Sequence, residues 1–511
     1  MKKLSLLLLS GMFLLNACLP GPGVVTLTPA SAPTQAATQT PLGADLPTNP
    51  PDPALTPIPA LGDVEAPAPT ESSIPEPAPL PSYFLDTVIN YDLKTTSVNQ
   101  HIRYTNNTGV PLNTLVLAVV PNLWAGVFRL ENLKIFDLLE PEYSLDGQQL
   151  TIQLPDPLPP NAEISLQIGY ALNLPAHNPN PDPNLVRPDI FGYTSNQLNL
   201  VDWYPFVVPY EDGWLLNRPW FYGEHLVYDL ADFEVKLAFS DPSRAPVVAA
   251  SGHVLQSDNS STTYRLNAGR TFALSMSREY QVATASMDGV EVSSYYFPFF
   301  KTGGEAALDA TLKSVETFNK LFGPYRHETL AVVQGDFNDG MEYDGLYFLS
   351  NAFYNLYDGT ERNFLVMVAA HETSHMWWFG AVGNDQANEP WLDESLATYS
   401  ERLFYEDQYP EAVPWWWSYR ITFYAPQGKI NDNVPSYGGF TPYTNATYRR
   451  GALFLEDLRK RIGDEAFFAF LQDYYAQMSG QRATRNDFFR ILSTHHTIDI
   501  SDLLVEYFAQ P

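Results

Sequence analysis

The segment His371-Glu372-Thr373-Ser374-His375 lies inside a run, Phe364 to Phe379, that is apolar almost all round. A helix over this run would be buried on every side, with Gly380 placed to stop it. Residues four apart share a helix face, so His371 and His375 turn two imidazoles toward one point. Unpaired imidazoles are costly to bury there unless something binds them. Two histidines at this spacing with a glutamate between them match the pattern of a zinc site, in which Glu372 acts on a water rather than ligating. Catalytic zinc takes three protein ligands and keeps one position open. Glu394 is the expected third, because Trp391-Leu392-Asp393-Glu394 begins the next helix. Pro390 suits that helix's first position, and its pattern runs to about Tyr405. The alternative is a chance pairing of two core histidines.

A ligating histidine usually donates its second ring N–H to an acceptor behind it. Glu401 lies seven residues after Glu394, on the same helix face, and is the candidate acceptor. The other reading is a solvated glutamate paired with Arg402. His225, His495 and His496 show no ligand spacing and read as structural or exposed.

A chain of 511 residues is too long for one hydrophobic core, so two or three domains are expected. From about Tyr83 to about Ala285 the pattern is β. Ile164, Leu166, Ile168 and Tyr170 alternate with Ser165, Gln167 and Gly169, and Phe233, Val235, Leu237 and Phe239 alternate in the same way. Asn106-Asn107-Thr108-Gly109 and Ser257-Asp258-Asn259-Ser260 are turn signals. This spacing fits a β-sandwich or saddle. After Gly289 the character changes. Val290–Phe297 reads as a strand, Gly304–Leu321 as an amphipathic helix and Leu330–Val333 as a buried strand. Further helices follow around Tyr448–Ile462, Asp464–Met478 and Arg485–Ser493.

The N-terminus carries a different signal. Met1-Lys2-Lys3 precedes a short apolar run, Leu4 to Leu15, too short to span a membrane. It ends in Leu15-Asn16-Ala17-Cys18, which resembles the lipobox of bacterial lipoproteins, where the cysteine is lipidated. An ordinary signal peptide with an incidental cysteine is the alternative. Cys18 is the chain's single cysteine, so no intramolecular disulfide can form. From Leu19 to about Ser82 the chain is rich in Pro, Ala and Thr, and no Lys or Arg occurs from Ser5 to Leu93. Such a stretch cannot bury enough apolar surface to order itself and reads as a semi-stiff tether. The expected organisation is a signal peptide at 1–17, a disordered tether at 18–82, a β domain at 83–286 and a catalytic domain at 287–511. The expected location is the cell membrane, lipid-anchored through Cys18 and facing the extracytoplasmic side. With 58 acidic against 29 basic residues and a formal charge of −29, the chain repels phosphate backbones, which argues against nucleic-acid binding.

Taken together, the zinc pattern and its context resemble the aminopeptidase N family of zinc peptidases (peptidase family M1, among the gluzincins). Residues 376 to 393 separate His375 from Glu394, the family's interval, and Trp391-Leu392-Asp393-Glu394 matches its context. Glu401 falls where the family tends to carry a second acidic residue. The upstream motif Gly-x-Met-Glu-Asn reads here Asp339-Gly340-Met341-Glu342-Tyr343, with Asp339 for the first Gly and Tyr343 for the Asn. The resemblance implies that Glu342, with Gly340 and Met341, meets the substrate's free α-amine. The downstream Tyr-x-Lys-Gly motif reads Tyr448-Arg449-Arg450-Gly451, with Arg for Lys. It implies that the Tyr448 hydroxyl stabilises the oxyanion, with Tyr443 a weaker candidate for an auxiliary role. Gln197, in the β region, loosely matches a family glutamine that reaches the substrate.

The implied fold is α+β and multidomain: an N-terminal β-saddle or sandwich domain, then a thermolysin-like, mainly α zinc peptidase domain. Many family members continue into a long α-helical domain, whereas the sequence here extends about sixty residues beyond Tyr448. The implied activity is removal of N-terminal residues from peptides with a free amine, using one Zn²⁺ per chain and Glu372 as general base. Open alternatives are an endopeptidase or dipeptidase on the same scaffold, a surface binding protein that kept a peptidase fold, and a lipoprotein whose β domain binds a partner.

Overall fold

The computed structural model describes residues 79–137, 139–177, 190–337 and 340–509. The signal segment, Cys18, nearly all of the tether and Asp339 lie outside the described residues.

The strand Ser82–Asn90 lies within a seven-stranded sheet, antiparallel to Thr95–Thr105 and parallel to Ala231–Phe239. The two alternating stretches seen in the sequence sit in this sheet as Glu163–Asn173 and Ala231–Phe239. Ile164, Leu166, Ile168, Phe233, Val235 and Leu237 are all buried, as the period of two demands. Two four-stranded sheets complete the β domain. The turn signal at Ser257–Ser260 is built by Asp258, whose carboxylate accepts the N–H of Ser260 at 2.7 Å and of Ser261 at 2.9 Å.

A five-stranded sheet follows. Its spatial order is Gln281–Met287, Val290–Tyr296, Thr329–Gly335, Leu346–Ser350 and Met341–Tyr343. Its first strand spans the domain boundary placed at 286/287. The three central strands run parallel, and Met341–Tyr343 is an antiparallel edge. Strand Thr329–Gly335 is covered on both faces, which explains its unbroken apolar run. Leu330 and Val332 pack into the helical core, whereas Ala331 and Val333 join the core of the β domain. The sheet is therefore a wall shared by both domains.

Helices Lys301–Leu321, Phe364–Ser374, Trp391–Gln408, Gly451–Ile462, Asp464–Met478 and Arg485–Leu492 form the other layer. A last helix, Ser501–Tyr507, had no distinct sequence signal. The mainly helical second domain after an N-terminal β domain is the α+β arrangement expected. One element differs. The apolar run does not stay α-helical to Phe379: the helix ends at Ser374 and opens into a wide turn, Met376–Ala381. There Gly380 N–H reaches His375 O at 2.8 Å and Val382 N–H reaches Trp377 O at 2.9 Å, five residues back instead of four. Gly380 is required by space: a Cβ would come within 2.9 Å of Asp344 Oδ1.

Buried Arg270, from the β domain, stitches the layers. Its guanidinium donates to the backbone oxygens of Tyr228, Gly380, Ala381 and Gln481 at 2.7–3.1 Å. Trp391 anchors the start of its helix among Phe488, Phe454 and Phe508, edge-on to each, with centroids 5.0 Å away at the closest.

Candidate metal centre and active-site cleft

Helix Phe364–Ser374 is capped by Asn363, whose Oδ1 accepts the Val366 N–H at 3.2 Å. Its last turn places His371, Glu372 and His375 beside Glu394, from the first turn of Trp391–Gln408. All four are nearly fully buried. His371 Nε2 and His375 Nε2 are 3.2 Å apart, and Glu394 Oε2 lies 3.3 Å and 3.8 Å from them. Tetrahedral zinc with bonds of about 2.1 Å would separate its ligands by about 3.4 Å, so this triangle fits one face of the tetrahedron.

The chemistry of the donor set agrees. His375 Nδ1 lies 2.7 Å from Asp393 Oδ1, and His371 Nδ1 lies 2.9 Å from Glu401 Oε1. With the His375 Nδ1 proton on Asp393 and His371 Nδ1 beside the Glu401 carboxylate, both Nε2 atoms are left to present lone pairs, and Glu394 Oε2 joins them without a hydrogen bond of its own. Three buried acceptors converge on one point, an arrangement that calls for a cation. Burial disfavours charge on His371, but Glu394 and Glu401 outweigh it and hold the imidazole up at about 9. The field that would favour a proton there favours a metal ion equally.

Glu401 is completely buried. Arg420 grips it through Nη2 at 2.8 Å and Nε at 3.0 Å, and Trp416 Nε1 donates to it at 2.9 Å. Burial pushes its carboxyl up, but Arg420 and His371 more than offset this and hold it below the ordinary range. Arg402 turns away to Glu406 and Glu456. The surface-pair reading of Glu401 is thus not the arrangement observed.

A cleft of about 590 Å³ opens over these residues, within the usual range for a ligand site. The β domain supplies part of its wall, including Trp124, Phe191, Glu224 and His225. Gly340, Met341 and Glu342 line it at the edge strand. One oxygen of Glu342, one of Glu372 and a ring nitrogen of His375 lie within 4.8 Å of one another. Gln386 donates to Glu342 at 3.2 Å and to Asp393 at 2.6 Å. Burial raises Glu342 well above the ordinary carboxyl range, with His375 opposing and Glu224 adding to the rise. Glu224 is pushed up to about 8 by burial and by Glu394 and Asp393. Gly340 allows a close approach: a Cβ there would sit 2.6 Å from Glu372 Oε1.

Tyr448 lies on a wide helical turn, Asn445–Arg450, pinned to the glutamate helix by Ser395 Oγ, which donates to Thr447 O at 2.7 Å. Its ring is parallel to that of His371, 11° off with centroids 5.9 Å apart, and its hydroxyl donates to Glu394 Oε1. Burial, then Glu394, raise this phenol well above its ordinary range, so it stays a donor. Tyr443 packs edge-on to Tyr448 and donates to Glu224 at 3.4 Å.

Gln197 is not brought to the cleft. Its amide is consumed by Ser275 Oγ at 3.1 Å, Tyr280 and Gln334 O at 3.0 Å, while its oxygen accepts the Asp336 N–H at 2.8 Å. It ties the β domain to the shared sheet instead. The sequence reading gave no role to Asp393, Gln386, Glu224, Arg420 or Arg449, all of which surround the site. Asp393 and Arg449 alone had a signal, since each adjoins a candidate site residue, Glu394 and Tyr448, within a quoted motif.

Residues 306–507 match the peptidase family M1 domain. Endoplasmic reticulum aminopeptidase 2 of Homo sapiens is 25% identical over 288 residues, 52% of this chain and 30% of its own length. Aminopeptidase N of Streptomyces lividans is 27% identical over 192 residues, 34% of this chain and 22% of its own. The chain thus spans less than a third of the length of these curated relatives. Among solved structures, a mutant M1 zinc metallopeptidase of Deinococcus radiodurans bound to a Tyr-Ser-Ala substrate is similar in fold. The TM-score is 0.64 at 20% identity, covering 85% of this chain and 94% of that one. The unmutated Deinococcus enzyme gives a TM-score of 0.63 at 19% identity, over the same shares of both chains. The segment that carries the candidate ligand triad thus matches the peptidase family M1 domain, and the chain shares its two-domain fold with the Deinococcus M1 zinc metallopeptidases.

Proposed function

We propose that the chain is a zinc-dependent aminopeptidase that removes N-terminal residues from peptides. The observation that carries this reading is the closeness of Glu342 to Glu372: a carboxyl suited to an ammonium group lies within 4.8 Å of the candidate base. Held by His371, His375 and Glu394, a single zinc would supply Lewis acidity and an acidified water. Glu372 takes a proton from the attacking water and passes it to the leaving amine. The Tyr448 hydroxyl donates to the oxyanion that develops on the scissile carbonyl. Glu342, oriented by Gln386, accepts from the substrate's α-ammonium and limits cleavage to the first peptide bond. Asp393 and Glu401 keep the two imidazoles turned to the site.

The full chain tests this. Zinc content is measured, and free-amine and N-acetylated peptides are compared on the wild type, Glu372→Gln and Glu342→Ala. The expectation is zinc near one per chain, no turnover by Glu372→Gln with zinc retained, and a selective loss on free-amine peptides in Glu342→Ala. Equal turnover by Glu372→Gln refutes the mechanism. Equal effects of Glu342→Ala on free and blocked peptides refute the amine anchor and favour an endopeptidase.

The lipobox-like segment supports a second proposal, that Cys18 is lipidated and anchors the enzyme to a membrane, facing the extracytoplasmic side. Among the described residues no helix is long and apolar enough to cross a membrane. Metabolic labelling with a fatty acid should mark the wild type and spare Cys18→Ser; equal labelling refutes the assignment.

A further inference from the structure

The two imidazoles divide the cleft by charge. Behind His375 lie Asp393, Gln386 and Glu342, with Glu224 beside them. Behind His371 lie Glu401 and Arg420, and Arg449 lines the same cleft next to Tyr448. Arg420 is neutralised by its two-pronged grip on Glu401. Arg449 is not neutralised: among the described residues no carboxylate lies within 4 Å of its guanidinium. Its Nη1 donates only to uncharged oxygens, Asn445 Oδ1 at 2.8 Å and Thr444 Oγ1 at 3.2 Å. Its Nε is buried with no hydrogen bond. The guanidinium stacks over the Tyr424 ring, 3.6 Å from the centroid, which holds it in place. Burial, then the neighbouring Arg420, pull Arg449 down to about 10, so at neutral pH it is charged and short of an anion. In a chain with twice as many acidic as basic residues, a fixed guanidinium without a carboxylate partner, in a cleft whose lining carries Glu224, Glu342, Glu372 and Glu394 and one other arginine already paired, is a site for an anion that arrives with the ligand.

We infer that Arg449 determines substrate preference by pairing with the C-terminal carboxylate of a short peptide, so that di- and tripeptides with both termini free are preferred. This rests on the aminopeptidase reading above. The α-ammonium goes to the acidic end at Glu342, the scissile carbonyl sits by Tyr448, and the leaving residues run toward the basic end. A carboxylate one or two residues beyond the cut meets Arg449. A longer peptide carries its carboxylate past it, at about 3.3 Å per extended residue.

The test compares tripeptides as free acids with the same tripeptides as C-terminal amides, on the wild type, Arg449→Met and Arg449→Lys. A charge-assisted contact of this kind is worth about tenfold or more. The expected result is a free-acid preference of about tenfold in kcat/KM, carried by KM, on the wild type. Arg449→Met should abolish or invert it, because the remaining carboxylates repel the free acid. Arg449→Lys should restore part of it. The preference should fade as residues are added to the C-terminal side. Equal turnover of acid and amide by the wild type, or a preference that survives in Arg449→Met, overturns the inference and leaves the aminopeptidase reading standing. No turnover of any free-amine peptide overturns that reading itself. The acid-to-amide comparison on the wild type decides the matter even if Arg449→Met fails to fold.

Discussion

Replacing Glu401 with Gln separates two roles that the structure joins in one carboxylate. Glu401 is fully buried, meets His371 Nδ1 at 2.9 Å and takes two donors from Arg420. A glutamine keeps the shape and one acceptor oxygen but removes the charge. Weakening the acceptor behind a ligating histidine typically costs 10- to 100-fold in metal affinity, or about 1.4–2.7 kcal/mol. The second cost is to folding. The Arg420 side chain is only 15% exposed, and its guanidinium would lose its counter-charge. Removing one partner of a buried pair costs about 3–5 kcal/mol, toward the lower end here because Arg420 keeps some contact with water. Zinc affinity, measured by competition with a chelator, and chemical unfolding of the zinc-free protein read the two effects separately. Glu401→Gln should lose both. Glu401→Gln combined with Arg420→Met should regain most of the folding stability while zinc binding stays weak. Unchanged zinc affinity in the single variant would refute the role assigned to Glu401. A double variant no more stable than the single one would refute the charge argument.

Other expectations follow from individual contacts. Asp393→Asn should weaken zinc binding by about 10- to 100-fold in a chelator competition, because His375 loses its carboxylate, and should cost the zinc-free protein less stability than Glu401→Gln, since among the described residues no arginine pairs with Asp393; unchanged zinc affinity would contradict this role. Gly340→Ala should lower kcat on the order of a hundredfold with little change in stability, because its Cβ would displace Glu372 from 2.6 Å away; wild-type kcat would contradict the close approach. Gly451→Ala places a Cβ 1.9 Å from Ser395 Oγ, so both the melting temperature and the position of Tyr448 should suffer. Burial pushes the Asp344 carboxyl up, but His327 and Arg326 outweigh it and the net shift is downward. A depressed carboxyl contributes stability above its unfolded pKa of about 3.9 and loses it as pH falls through the folded value. Below about pH 4 the wild type should therefore lose melting temperature more steeply than Asp344→Asn, and parallel curves would contradict this.

The sequence by itself determined what depends on near neighbours along the chain. His371 and His375 share a face because a helix repeats every 3.6 residues, and Glu163–Asn173 has one buried face because a strand repeats every two. Those periods hold wherever the element sits in the fold, so the convergence of the candidate ligands, the candidate base beside them and most elements were legible. Tertiary structure alone decided what depends on how elements pack. Gln197 was free to reach the cleft on sequence grounds, and packing committed its whole amide to Ser275, Tyr280, Gln334 and Asp336. Tyr443 meets Glu224 across 219 residues of chain, and no local pattern encodes that distance. Arg420 and Arg449 carry no sign of their partners along the chain until the fold sets one against Glu401 and leaves the other facing the cleft without an anion. A pairing between distant side chains is set by the summed packing of every layer between them, which is why the candidate ligands could be named from their spacing and the charges behind them could not.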